Sequence, residues 1–111
     1  MSEGALQDAI RLELGREPAL ALFRNNIGTA DIRGRFVRFG VGGPGGADLI
    51  GVFRGRFVAL EVKTTRGRQT AEQQMFQQLI ERKGGEYAVL RSVEDARSWL
   101  ESMRGKYADH R

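Results

Sequence analysis

Two apolar runs of strand length, residues 48–53 and 56–63, stand on either side of Arg54-Gly55 near the middle of the chain. Each is too short for a helix and both alternating faces are apolar, which is the pattern of central strands covered on two sides. A two-residue turn at Arg54-Gly55 closes them into a hairpin in which Phe53 pairs with Arg56. Asp48 then stands opposite Glu61, and strand alternation puts Lys63 on the same face while Val62 points away. Ile50, Val52, Phe57 and Ala59 share that face; Leu49, Phe53, Val58, Leu60 and Val62 take the other. A three-residue loop would instead set Val62 opposite Asp48, and Gly51 leaves room for a bulge.

The remaining elements follow from period and punctuation. Ser2 suits an N-cap for a helix over 3–14, with Leu6, Ala9 and Ile10 as its buried stripe and Gly15 as its stop. Pro18 opens a strand over 19–24, and Asn25-Asn26 with Gly28 reads as a turn or loop. The span 25–34 is read either as a loop with Arg33 and Arg35 facing a phosphate backbone or as a solvated connection. Arg35 to Phe39 alternates basic and apolar residues, as a half-exposed strand does. Gly40, Gly42, Gly43, Gly45 and Gly46 form a permissive loop, read chiefly as a tight turn into the Asp48 strand. Thr70 caps a helix reaching Lys83, with Met75, Phe76, Leu79 and Ile80 as its buried side. Gly84-Gly85 ends it, 86–90 is a strand, and Ser92-x-x-Asp95 is a capping box for a last helix reaching Met103. Trp99 and Leu100 pack that helix on the core. The expected organisation is one domain over 1–104 and a disordered tail over 105–111.

Composition narrows the class. A chain of 111 residues with 41% hydrophobic content forms one soluble domain with a real core. No apolar run approaches the ~18 residues that span a membrane, and the polar start does not resemble a signal peptide. The chain has no cysteine, which fits an intracellular, cytoplasmic protein and removes disulfides and thiolate metal sites. Its one histidine, His110, lies in the polar tail, so zinc has almost no ligands to use. Net charge is +4, and eight basic residues fall between Asp31 and Arg68: Arg33, Arg35, Arg38, Arg54, Arg56, Lys63, Arg66 and Arg68. Only Asp31, Asp48 and Glu61 oppose them. A basic surface around a small acidic pit suits a polyanion, with Arg33, Arg35, Arg38, Arg66 and Arg68 as the DNA-binding candidates.

The acidic pair supplies the chemistry. Like charges set opposite one another on a sheet repel, whereas two close carboxylates can hold a hard divalent cation. A lysine one step along can position a water or meet charge developing on a phosphate.

Asp48, a strand pair and then Glu61-Val62-Lys63 resemble the signature of the PD-(D/E)XK nuclease superfamily. The segments GGPGGADLIGV, ALEVKTTRGRQTAEQQMF and KGGEYAVL are more closely similar to the VRR-NUC domain. One departure is Ala47, where many relatives carry proline before the aspartate. The resemblance implies a restriction-endonuclease-like αβββαβα sandwich, a central mixed β-sheet flanked by helices. It also implies a Mg²⁺- or Mn²⁺-dependent deoxyribonuclease, with Asp48, Glu61 and the Val62 carbonyl as metal ligands and Lys63 as the catalytic group that orients the attacking water and stabilises the pentacovalent state. Glu3 matches a glutamate near the start of the family's first helix that completes the metal site; it could otherwise serve only the helix dipole, with Asp8 and Glu13 as weaker candidates. Gln73 matches an active-site glutamine by its spacing from Lys63, and equally fits a capping box with Thr70. Standalone members look like structure-specific enzymes on branched DNA such as four-way junctions, acting as homodimers, and the family resemblance suggests a possible viral source. No small-molecule cofactor or membrane is expected. The rival readings are a site-specific or non-specific nicking enzyme, and a DNA-binding accessory module with a vestigial metal site.

Overall fold

A computed structural model describes residues 1–108. Helix α1 (Glu3–Leu14) is followed by strand β1 (Leu20–Arg24), then β2 (Gly28–Ile32) and β3 (Arg35–Phe39), a short 3₁₀ turn at Gly43–Gly45, and strands β4 (Leu49–Phe53) and β5 (Arg56–Val62). Helix α2 (Ala71–Arg82), strand β6 (Glu86–Leu90) and helix α3 (Val93–Lys106) complete the chain. The main sheet runs β1-β4-β5-β6 and is mixed: β4 is antiparallel to both β1 and β5, while β5 and β6 are parallel across α2. Strands β2 and β3 form a separate two-stranded hairpin. The architecture is therefore α/β, with α1 and α3 on one sheet face and α2 on the other.

Register follows from the turn. Arg54 and Gly55 both have positive φ, 48° and 82°, the geometry of the two-residue turns whose twist matches flanking strands. Phe53 pairs with Arg56 and Leu49 with Leu60, with no bulge at Gly51. Gly51 is needed for a different reason: a Cβ there would lie 1.9 Å from the Ala21 carbonyl oxygen of β1.

The main core lies under α1 and α3. Leu6, Ile10 and Leu14 recur at one helical face and pack with Leu49, Phe53, Val58, Leu60, Val62, Ala96, Leu100 and Met103; Trp99 lies partly buried against them. A smaller cluster under α2 joins Ala47, Ala59, Phe76 and Tyr87.

Several expectations are corrected. Met75 (68% exposed) and Leu79 (41%) face outward, because Phe76 and Ile80 alone carry the contact of α2 with the sheet. Val52, on the α2 side of β4, is 45% exposed, so this central strand is covered on that side only toward its Asp48 end, where Ile50 is half-buried. The span 25–34, read as loop, contains β2, which gains its ladder only from β3. Helix α3 passes Met103 and includes Gly105, held by Lys106 and Tyr107, which both bond the Glu86 carboxylate at 3.1 and 3.3 Å. The Arg56 guanidinium stacks 4.6 Å from the Tyr107 ring centroid. Of the tail expected over 105–111, Gly105 and Lys106 are helical, and residues 109–111, His110 among them, lie outside the described residues. Ser92 caps α3 through the Asp95 N–H, but the Asp95 carboxylate accepts from the Arg91 N–H, one residue before the position a full capping box would use. Among the described residues no helix is long and apolar enough to cross a membrane.

Candidate active site

The hairpin register, continued one step beyond Leu49 and Leu60, brings Asp48 opposite Glu61. Asp48 lies just before β4 and substitutes for a strand partner: its Oδ2 accepts from the Val62 N–H at 2.8 Å. In an antiparallel ladder the N–H and C=O of one residue point the same way, so the Val62 carbonyl opens toward Asp48 as well.

Glu61 is 3% exposed, the one charged residue in the described core. Its Oε2 is buried with no hydrogen-bond partner. Burial, a hydrogen bond to Asp48 and the Asp48 charge push its carboxyl from 4.5 up to about 8, while Lys63 opposes the shift and Glu3 adds to it. Desolvation and a neighbouring carboxylate both disfavour the charged form of Glu61. Tyr87, on β6, lies beside the same pit: burial pushes its phenol up to about 12, and the charges of Glu61 and Asp48 push the same way. Its hydroxyl oxygen accepts from Gln69 Nε2 at 3.2 Å, and Gln69 also donates to Gln77 Oε1 at 3.0 Å.

Lys63 follows directly on β5, its backbone N–H bonded to the Leu90 carbonyl at 3.1 Å. Its alkyl stem runs over Gly67, where a Cβ would come 3.2 Å from Lys63 Cδ. The 64–67 turn beneath it is held by Arg91, whose Nη1 donates to the carbonyls of Thr64 and Gly67 at 2.7 and 2.6 Å. Arg66 and Arg68 leave this turn exposed.

Asn25 fastens the other side. Its Nδ2 donates to the carbonyls of Val41 and Ala47 at 2.8 and 2.9 Å, its Oδ1 accepts from the Val41 N–H at 2.9 Å, and its own N–H donates to the Asp48 carbonyl at 2.8 Å. The glycine loop between Val41 and Ala47 is closed at its base by this one side chain. The loop also lies against α2: a Cβ at Gly45 would come 2.2 Å from the Glu72 carbonyl oxygen, and one at Gly42 would meet the Phe76 ring at 2.6 Å. These glycines serve close packing.

The other candidates separate. Gln73 forms the full capping box, its Oε1 accepting from the Thr70 N–H at 2.9 Å and its N–H donating to Thr70 Oγ1 at 3.1 Å, which leaves only its amide N–H₂ free for another role. Glu3 is exposed in the first turn of α1, close enough for its charge to weigh on Glu61. Yet no group of three or more His, Cys, Asp or Glu side chains gathers as a metal centre among the described residues. Glu13 is drawn off by Arg97 at 2.8 Å, which holds its carboxyl below the usual range. Arg33, Arg35 and Arg38 are exposed on the β2–β3 hairpin, away from the main sheet.

Asn25, Arg91, Tyr87 and Gln69 were not singled out by pattern. The partners of Asn25 lie 16 and 22 residues away and those of Arg91 lie 24 and 27 away, distances at which no local period leaves a trace. Compared with family models and with curated proteins, the chain finds no match in either. The likeness to VRR-NUC domains therefore rests on the residues quoted above.

Proposed function

We propose that this protein is a divalent-metal-dependent DNA endonuclease of the VRR-NUC type, with the restriction-endonuclease-like fold. The order α1, β1, β4, β5, α2, β6, α3, with the β2–β3 hairpin as an insertion, is compatible with αβββαβα. The observation that carries the reading is the buried Glu61 Oε2 without a partner, opposite Asp48 and one residue from Lys63. A structural carboxylate would have acquired a donor, since a buried polar group left alone costs stability. A hard cation accepts oxygen ligands of this kind, so the donor set fits Mg²⁺ or Mn²⁺. Asp48, Glu61 and the Val62 carbonyl would hold it, with Glu3 and the Gln73 amide at the margin. When bound, such an ion lowers the pKa of a coordinated water and neutralises phosphate charge.

The chain's own residues do the rest. Glu61 would hold the ion as a carboxylate, and the Val62 N–H on Asp48 Oδ2 fixes the orientation of the Asp48 carboxylate. Lys63, steadied by Gly67 and Arg91, orients the attacking water and meets the charge on the phosphate in the transition state. Arg66 and Arg68 supply phosphate contacts beside it. The reading makes the substrate branched or duplex DNA, places the protein inside the cell, and assigns a two-fold dimer that would cover the exposed Phe23 and Val52.

The deciding experiment incubates a four-way junction and supercoiled plasmid with the protein in Mg²⁺, Mn²⁺ or EDTA. Junction cleavage that needs metal supports the reading. Plasmid nicking without junction preference supports a nicking enzyme, and binding without any cleavage leaves an accessory module.

A further inference from the structure

The β2–β3 hairpin is the one part of the described chain whose strands pair only with each other. Every residue from Asp31 to Gly40 is exposed, and Phe36 is 81% exposed. A lone two-stranded hairpin is marginal in water, yet this one is built to hold its shape. Arg33 and Gly34 take positive φ, 52° and 80°, as a two-residue hairpin turn requires. Asp31 Oδ1 accepts from the Gly34 N–H at 2.9 Å, and the Phe39 ring lies over Gly28, where a Cβ would approach it to 2.7 Å. Asn25 ties the returning strand at Val41.

Pairing sorts the side chains. Thr29 faces Arg38 and Asp31 faces Phe36 across one surface; Ala30 faces Val37 and Ile32 faces Arg35 across the other. Three arginines stand on an arm whose sole carboxylate, Asp31, is occupied by the turn. None of the three forms an ion pair with another described residue.

We propose that this hairpin is a preformed arm that enters the major groove of duplex DNA, with Thr29, Phe36 and Arg38 toward the base edges and Arg33 and Arg35 on the flanking phosphates. The major groove admits a two-stranded ribbon, and an arginine, a hydroxyl and an apolar ring are the groups that read base edges there. Charge selects the occupant: a second copy meeting the arm about a two-fold axis would set arginine against arginine. The inference rests on the proposed action on DNA but concerns a surface separate from the Asp48–Glu61 pair.

The test is fluorescence anisotropy in EDTA, which silences cleavage, with a labelled 30-base-pair duplex and the full chain. It compares wild type, Phe36→Ala and the triple variant Arg33→Ala/Arg35→Ala/Arg38→Ala across a salt series. These side chains are exposed, so the variants should melt as wild type does. The triple variant should lower the slope of log K against log salt by about 2, one for each of the phosphate-contacting Arg33 and Arg35. Phe36→Ala, which removes an apolar base-edge contact, should weaken binding about tenfold at every salt with the slope unchanged. An unchanged slope and affinity in the triple variant overturns the arm, as does a wild-type dimer that becomes a monomer in either variant by light scattering. Slopes that fall as described in a protein that cleaves nothing sustain the arm and remove the nuclease. Metal-dependent cleavage by a triple variant that binds like wild type does the opposite.

Discussion

Asn25 holds Asp48 in place. Its backbone N–H bonds the Asp48 carbonyl at 2.8 Å, and its side chain bonds Val41 and Ala47, the two ends of the loop that delivers Asp48 to the sheet. The carboxylate of the acidic pair is thus positioned by an amide outside the hairpin that carries it. Asn25→Asp keeps the acceptor for the Val41 N–H but sets an oxygen against the carbonyls of Val41 and Ala47. Stability should fall by about 2 kcal/mol, the worth of one exposed and one part-buried hydrogen bond replaced by repulsion. Cleavage should fall further than the loss of folded protein accounts for. Thermal melts beside single-turnover rates at a temperature where both proteins are folded check this; equal rates would confine Asn25 to stability.

Asp48 offers a contrast between two substitutions. Asp48→Asn can keep an oxygen on the Val62 N–H and turn its amide toward Glu61, which relieves the repulsion and gives the pair a donor. In EDTA near pH 8 it should melt at or above wild type, while losing cleavage and most of the stabilisation that Mn²⁺ confers on the native state. Asp48→Ala leaves the Val62 N–H without its partner and should cost about 1–3 kcal/mol. If both variants melt well below wild type and still respond to Mn²⁺, the metal role of Asp48 is lost.

Glu61 makes the metal-free protein sensitive to pH. A carboxyl raised from 4.5 to about 8 on folding binds its proton more tightly in the native state. The folded state then holds more protons than the unfolded one between those values, so stability falls as pH rises through that window. Below about 4.5 the penalty vanishes; above about 8 it is complete. Glu61→Gln, which cannot ionise, should match wild type near pH 4.5 in EDTA and exceed it increasingly toward pH 8. Urea unfolding at several pH values measures the difference, and parallel curves for the two proteins would mean that Glu61 titrates normally.

Lys63→Ala should abolish cleavage and leave DNA affinity and the Mn²⁺-induced rise in melting temperature close to wild type, because the lysine acts on the chemical step alone. Arg91→Ala removes two bonds from the turn under Lys63. It should lower the cleavage rate without shifting the salt dependence of binding. Rate measurements under saturating protein separate the two effects; a fully active Lys63→Ala would take the lysine out of the mechanism.

Local chemistry was enough to propose the hairpin: Arg54-Gly55 suits a two-residue turn, and that turn with strand alternation sets Asp48 against Glu61 with Lys63 beyond. The rival three-residue loop and a bulge at Gly51 are excluded only by the folded register. Helix α1, the Thr70–Gln73 capping box and the β6 strand are likewise short-range matters of period and cap. Tertiary structure alone decided what depends on neighbours far along the chain. Met75 and Leu79 have the helical spacing of core residues but are exposed, because the sheet beneath α2 meets only Phe76 and Ile80. Strand β2 exists through pairing with β3, and Gly105 is helical because Lys106 and Tyr107 dock on Glu86. Asn25 and Arg91 became visible as clamps only once their distant carbonyls were in place. The burial that isolates Glu61 Oε2 is likewise a property of the assembled sheet, since a desolvated carboxylate has no signature in the residues on either side of it.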